Sequence, residues 1–374
     1  MPLIFAKQAF TDGNTLKNCL IEVEGGRIRT LSPSVDIQTI PDATIRVDCL
    51  APGFIDIQVN GGKQFHFTHT PRREALIDIA KASRDSGTPF MLPTCVTSSP
   101  ENIGNAIEAT RAFMKEFPHS GVLGMHLEGP FISPQKRGAH LEKYIIRPEG
   151  KLMDLLEEDG GQVVKLLTLA PERLTADQLA RLQGFGIVLS AGHSNATYKE
   201  AMEAFNQGVN VCTHLYNAMS PLGHRNPGLV GAVFDAEQVY APIILDGLHC
   251  DFAAARIAYR QKGRKLLLIS DALFLGRKKN SFLWEEFDAK LVGNTYVNSE
   301  GNLAGGALSL AETLVNAVEK VGIPLGEAID MVTRRPAEVL RMENRLGRLA
   351  PNYPAVFTTF DEKLKNFKTV SLEN

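Results

Sequence analysis

Val122-Leu123-Gly124-Met125-His126-Leu127-Glu128 is an apolar run that ends on a carboxylate and is followed at once by Gly129-Pro130. So short a run, bounded by turn residues, reads as a strand buried on both faces, as in a parallel sheet covered by helices. Seven further runs of this kind occur: Phe54–Val59, Pro89–Thr94, Val164–Leu169, Ile187–Ser190, Val209–His214, Pro242–Asp246 and Leu266–Asp271. Segments of helical period separate most of them, namely Arg72–Ser86, Glu101–Phe117, Leu174–Phe185, Thr197–Asn206 and Phe252–Gln261. Eight such repeats over roughly 220 residues fit a (β/α)8 barrel, whose usual size is about 250 residues. A doubly wound open sheet is the second choice, weakened because no Gly-x-Gly-x-x-Gly turn follows the first strand.

Polar residues at the ends of these runs favour the barrel. Glu128, His193, His214, His249 and Asp271 fall at or just beyond the C-terminal ends of different strands. Active sites of barrels are built on that face, and closing the sheet brings the ends onto one ring. Separations of 65, 21, 35 and 22 residues along the chain then become proximity in space.

The ends of the chain read differently. Asn18–Val23, Gly26–Leu31 and Thr44–Cys49 are short strand patterns with Gly-Gly and Ser-Pro turns, and Leu346–Phe360 is again strand-like. We expect residues 1–50 and 346–374 to form a small β-sandwich beside a barrel spanning 51–345. Within the barrel, Ser281–Gly306 carries strand-like pieces (Phe287–Val292, Asn294–Val297) that predict a hairpin insertion.

Composition narrows the function classes. The chain has 374 residues, a formal net charge of −2 and 44% hydrophobic residues, which suits a large folded domain plus a smaller one. No basic block or aromatic-basic interleaving points to nucleic acid. The apolar runs fall short of the roughly 20 residues of a membrane span, and the N-terminus lacks the pattern of a secretory signal. Five scattered cysteines, without Cys-x-x-Cys spacing, suit buried thiols in a reducing compartment, so a cytoplasmic location is expected.

Glu128 in His126-Leu127-Glu128-Gly129-Pro130, His193 in Ser190-Ala191-Gly192-His193-Ser194 and His214 in Thr213-His214-Leu215-Tyr216-Asn217 form a ligand set for zinc or a similar ion. Zinc takes imidazoles and a carboxylate and keeps a fourth position open in catalytic sites, where it lowers the pKa of water toward about 7. Each residue also has a plain structural alternative: an arginine-paired carboxylate for Glu128, a core or capping role for each histidine. His126 points to the same face one layer deeper, and Ser194 or Asn195 is placed to cap the next helix. Asp271, in Leu268-Ile269-Ser270-Asp271-Ala272, suits proton transfer to and from a bound water; a helix cap is its alternative. His249 and His140 each suit hydrogen bonding to a substrate carbonyl or phosphate, and each suits an ordinary surface loop. Arg225, in Gly223-His224-Arg225-Asn226-Pro227-Gly228, is placed either to clamp an anion or to remain a solvated charge.

These segments together resemble the N-acetylglucosamine-6-phosphate deacetylase family of the amidohydrolase superfamily. The most specific are His126–Pro130, Ser190–Thr197, Thr213–Met219, Arg225–Gly231 and Asp246–His249, and the resemblance extends from Ala51 through Gly347. It implies a (β/α)8 barrel with a sandwich made from both chain ends. It implies a divalent ion on Glu128, His193 and His214, with Asp271 as general base and acid toward the metal-activated water. It further implies substrate contacts from Ala139, His140, Asn217, Ala218 and His249. Leu303, Ala304 and Gly305 would complete the pocket, and Arg225 would bind the sugar phosphate, in this family often across a dimer interface.

The chain departs from the wider superfamily in two places. Where many amidohydrolases carry His-x-His on the first barrel strand for a second metal, this chain has Gln58 and Asn60, so one metal, zinc first, is expected. After Asp271 it reads Ala-Leu-Phe-Leu-Gly-Arg-Lys-Lys-Asn, where the family has a smaller Ala/Gly-rich loop. The expected function is deacetylation of N-acetylglucosamine 6-phosphate by a homodimer. Alternatives are another N-acyl sugar phosphate, a cyclic amide, or a non-catalytic sugar-phosphate sensor.

Overall fold

Alternation shapes the first sheet. In the computed structural model, which describes residues 2–372, the first four strands are Leu3–Thr11 (β1), Asn14–Glu24 (β2), Arg27–Ser32 (β3) and Ile45–Pro52 (β4). Cys19, Ile21 and Val23 of β2 are buried while their neighbours face outward, the period of two of a sheet covered on one face. Near the other end of the chain, Val356–Phe360 pairs antiparallel with β4, and Lys368–Ser371 pairs antiparallel with Val356–Phe360. The ends thus meet in one six-stranded sheet, in the order 368–371, 356–360, β4, β1, β2, β3. Two of its strands have weak sequence patterns. Lys7 and Gln8 interrupt the apolar run of β1, and Lys368–Ser371 is a half-exposed edge strand.

The second sheet is parallel and largely buried. Its strands are Ile55–Val59 (β5), Phe90–Val96 (β6), Met125–Glu128 (β7), Val164–Leu169 (β8), Val188–Ala191 (β9) and Val211–Cys212 (β10), in consecutive order. Every residue of β5, β7 and β9 is buried, as expected of strands flanked by helices on one side and a packed interior on the other. Ala241–Ile243 (β11) and Leu266–Leu268 (β12) pair in parallel with each other. Single parallel bridges, Val211↔Tyr240 and Val59↔Ala272, tie this pair's surroundings to both edges of the sheet. An α/β architecture with a strongly curled parallel sheet and a separate sheet from the chain ends results.

Helices cover the curled sheet for local reasons. Arg73–Asp85 (α1) buries Leu76, Ile79, Ala80 and Ser83, one stripe at helical spacing. Pro100–Glu116 (α2) starts with Pro100 in its first turn, and the Ser99 hydroxyl accepts from the Asn102 amide. The helix after β9, Tyr198–Asn206, is capped by Thr197 in a reciprocal box with Glu200, and not by Ser194 or Asn195. Those two instead donate to the carboxylate of Glu172.

After β12 the chain inserts an antiparallel sheet of Ser281–Trp284 (β13), Phe287–Val292 (β14), Thr295–Val297 (β15) and Leu303–Gly306 (β16). The apolar loop that follows Asp271 explains its presence. Phe274 meets Phe282 and Tyr296 edge-on, and Leu273, Ala307 and Leu141 complete the small core beneath the insertion.

One buried cation braces β12, the strand that leads to Asp271. The Arg335 side chain has no exposed surface; it donates to the carbonyls of Leu266 (2.7 Å) and Gly263 (3.1 Å) and pairs with Glu327. Replacing Arg335 with Leu removes these bonds and leaves Glu327 without its cation. We predict that this costs about 3 kcal/mol, at the low end for breaking a buried pair because Glu327 is partly exposed. The midpoint of urea unfolding should fall accordingly.

Candidate active site

The C-terminal ends of the parallel strands surround a cavity of about 350 Å³. Three strand ends bend sharply there: His193, His214 and Asp271 have φ of 46°, 33° and 43°, a left-handed conformation costing a non-glycine residue about 1–2 kcal/mol. Such strain persists where the surrounding structure over-determines it, and it gathers at functional sites. Gly192 lets the bend before His193 sit close to its neighbours. A Cβ there would meet Thr213 Cβ at 2.8 Å and Thr168 Cγ2 at 2.9 Å.

Glu128 at the end of β7 receives both histidines. Its Oε1 lies 3.1 Å from His193 Nε2 and 2.9 Å from His214 Nε2, and the two Nε2 atoms lie 3.1 Å apart. His193 Nδ1 lies 2.9 Å from the Lys136 carbonyl, which can only accept, so this nitrogen carries the ring's hydrogen. In the neutral ring Nε2 is then a lone pair directed at a carboxylate oxygen, an arrangement that asks for a positive charge between them. Three donor atoms about 3 Å apart match three corners of a tetrahedron around zinc, whose edge is about 3.3 Å at Zn–N near 2.05 Å. The donor set therefore fits a divalent ion. His140 also comes close: one ligating atom each of Glu128, His140 and His193 lie within 4.8 Å of one another.

Electrostatics follow the same geometry. Burial pushes the Glu128 carboxyl up, yet the adjoining His193 and His214 imidazoles outweigh it and hold the group well below its ordinary range. Burial pulls the His214 imidazole down, and Glu128 more than reverses this. His126 lies beneath as expected: its Nε2 is 2.7 Å from Thr168 Oγ1, and a hydroxyl chain continues through Thr213 to Ser190. Burial brings its imidazole down to about 4, so it stays neutral.

Asp271 faces this cluster from the end of β12. Its carboxyl is raised to about 6, first by burial and then by the nearby charge of Glu128. Oδ1 accepts from Gln58 Nε2 at 3.0 Å and from Asn60 Nδ2 at 2.8 Å. The two residues that stand in place of a His-x-His pair are thus committed to holding the aspartate, leaving its other oxygen available.

Glu128, His140, His193, His214, His249 and Asp271 all line the cavity. So do Ala139, Asn217, Ala218, Leu303, Ala304 and Gly305. Arg225 does not; its side chain is exposed on the loop before Gly228–Asp235. Sequence reasoning assigned no role to several neighbours. Thr97 Oγ1 lies 2.7 Å from His140 Nδ1, and Asp246 Oδ2 lies 2.6 Å from His249 Nδ1. The second pair was discoverable, since Asp246-Gly247-Leu248-His249 has the three-residue spacing of a tight turn, with Gly247 at φ 79°. His66 and Lys136 also line the cavity, and nothing in their local sequence marks them.

Comparison with known proteins agrees with this geometry. The sequence profile described as "Amidohydrolase family" matches residues 49–373. The chain belongs to that family. Among curated relatives, this amidohydrolase is 37% identical over 364 residues to the N-acetylgalactosamine-6-phosphate deacetylase of Shewanella sp. (strain ANA-3), covering 95% of this chain and 91% of the relative. It is 34% identical over 376 residues to the N-acetylglucosamine-6-phosphate deacetylase of Haemophilus influenzae, covering 95% and 97%. Its structure matches that of N-acetylglucosamine-6-phosphate deacetylase from Pasteurella multocida with a TM-score of 0.91 at 31% identity, covering 99% and 98% of the two chains.

Metal analysis tests the donor set of this amidohydrolase. Wild type is expected to hold one equivalent of divalent ion, and His193→Ala or His214→Ala to lose it. Gln58→Ala and Asp271→Asn are expected to retain it; loss of metal in Asp271→Asn would make Asp271 a ligand.

Proposed function

We propose that this amidohydrolase is a metal-dependent deacetylase of N-acetylglucosamine 6-phosphate, releasing acetate and glucosamine 6-phosphate. The observation that carries the reading is the convergence of Glu128, His193 and His214 within 3.1 Å, with Asp271 facing them across one cavity. The names of relatives in three bacteria support the substrate class. Glu128, His193 and His214 hold the ion in this reading, and zinc is the expected one from its preference for imidazole and carboxylate. When bound, a divalent ion polarises the amide carbonyl and makes water acidic enough to attack near neutral pH.

The chain's own residues supply the remaining steps. Asp271, with Oδ1 fixed by Gln58 and Asn60, takes the proton of the attacking water and returns it to the departing amine. His140 donates to the developing oxyanion from Nε2 once Thr97 turns its hydroxyl hydrogen from the Glu128 carbonyl (3.2 Å) to Nδ1 (2.7 Å). Asp246, accepting from His249 Nδ1, orients that ring toward the substrate. Ala139, Asn217, Ala218 and the 303–305 strand contact the sugar, and Arg225 reaches its phosphate from a second copy of the chain in a homodimer.

The same reading includes the finer architecture. The bridges Val211↔Tyr240 and Val59↔Ala272 support closure of the curled sheet into a full (β/α)8 barrel over 51–345, beside a domain of 1–50 and 346–374. The five cysteines are buried and unpaired, which supports a reducing, cytoplasmic setting. A second reading, the N-acetylgalactosamine epimer as substrate, is favoured by the 37% identity to a relative of that name.

Acetate release from both epimers, with and without a chelator, tests the reading. Zinc-loaded protein should turn over N-acetylglucosamine 6-phosphate, and chelation should abolish this. Asp271→Asn should lower kcat by about 10²–10⁴-fold with metal retained. Preference for the galactosamine epimer would support the second reading; turnover of neither would remove both.

A further inference from the structure

The left-handed turn at Asp271, with φ of 43°, costs free energy and needs its neighbours to hold it. Ser270 supplies part of that hold. Its hydroxyl accepts from the Ala272 amide at 3.2 Å, closing a short ring around Asp271. From the other side, the Asp271 amide donates to the Gln58 carbonyl and the Asn60 amide to the Ala272 carbonyl, at 3.0 and 2.9 Å. The aspartate's backbone is thereby clamped between its own strand end and β5.

A further carboxyl, Asp56, lies on β5, buried and outside the cavity lining. Its Oδ2 is 2.5 Å from Ser270 Oγ, and its Oδ1 accepts from the amides of Ser270 and Gln58, each at 3.3 Å. These partners are the residue before Asp271 and the residue whose side chain donates to Asp271 Oδ1. None of them is a cation.

The bonds of the Ser270 hydroxyl point to where the hydrogens lie. A hydroxyl donates once and accepts twice. Ser270 Oγ meets an acceptor in the Gln58 carbonyl (3.2 Å), a donor in the Ala272 amide, and the Asp56 carboxyl. With its hydrogen given to the carbonyl and one lone pair to the amide, the third contact is complete when Oδ2 carries a hydrogen. A carboxylic acid at Asp56 satisfies all three bonds. An ionised group there would be a buried charge near Asp271 whose bonded partners include no counter-ion. Burial raises the Asp56 carboxyl to about 7, and the charge of Asp271 adds to this.

We propose that Asp56 is a positioning residue for Asp271: as a neutral acid it donates to the Ser270 hydroxyl and so fixes the turn that aims the Asp271 carboxyl at the cavity. The assignment rests on the reading of Asp271 as proton carrier and deepens it.

Zinc-loaded wild type, Asp56→Asn, Asp56→Ala and Ser270→Ala test it. Asparagine keeps the pattern, with a carbonyl oxygen for the two amides and an N–H for the hydroxyl, whereas alanine removes both. On N-acetylglucosamine 6-phosphate, Asp56→Ala and Ser270→Ala should lower kcat about 10- to 100-fold, the scale of a small misplacement of a reacting group, with KM nearly unchanged and metal retained. Asp56→Asn should restore most of kcat. An unchanged kcat in Asp56→Ala, or a loss in Asp56→Asn as deep as in Asp56→Ala, would overturn the proposal. Loss of metal in step with activity would also overturn it. Should Asp56→Ala fail to fold, Ser270→Ala and Asp56→Asn decide by the same criteria. An infrared difference spectrum, wild type minus Asp56→Asn, reads the proton without turnover. On the acid side of the raised value it should show the carbonyl band of a protonated carboxylic acid, and absence of that band overturns the proposal. Failure of wild type to deacetylate either epimer counts against the substrate reading alone, and the infrared result then decides on Asp56.

Discussion

A carboxylate oxygen of Glu128 and the Nε2 atoms of His193 and His214 lie within 3.1 Å of one another in a buried site. With the His193 hydrogen on the other nitrogen, this is electron-rich atom against electron-rich atom, and the arrangement is favourable only around a cation. Much of the surrounding structure serves to hold it. The backbone turns left-handed at His193 and His214, small Gly192 allows the close approach, and the hydroxyls of Thr168, Thr213 and Ser190 link the strand ends beneath. Each device costs local free energy, and the packed parallel sheet offsets it.

Asp271 is tuned by the same constraint. Burial beside the charge of Glu128 raises its carboxyl toward neutrality, and Gln58 and Asn60 hold one oxygen so that the other faces the cavity. A metal-binding pair of histidines at those positions would compete with this hold. The amides therefore explain in one stroke why the chain suits a single ion and how its aspartate is oriented. Farther out, the apolar loop after Asp271 becomes the floor of the inserted sheet, with Leu273 and Phe287 on the cavity wall.

The parallel strands were legible because continuous apolar runs and stripes at helical spacing carry strong patterns, as in Leu266–Leu268 and Arg73–Asp85. The convergence of Glu128, His193 and His214 was legible because each ends or just follows a buried strand, where a polar residue has no cheap structural role. Leu3–Thr11 and Lys368–Ser371 were missed, since edge and mixed strands lack alternation. The roles of Thr97, Gln58 and Asn60 depend on which loops meet in space, which no local pattern encodes. Arg225 shows the reverse case: its motif is plain, yet within one copy of the chain it stands outside the cavity.

Anomalous diffraction at the zinc edge from crystals of the zinc-loaded protein tests the central claim most directly. The account predicts one peak, bonded to Glu128, His193 and His214 at about 2.0–2.2 Å. A peak held by His140 in place of His214, or a second peak beside Gln58 and Asn60, would contradict it.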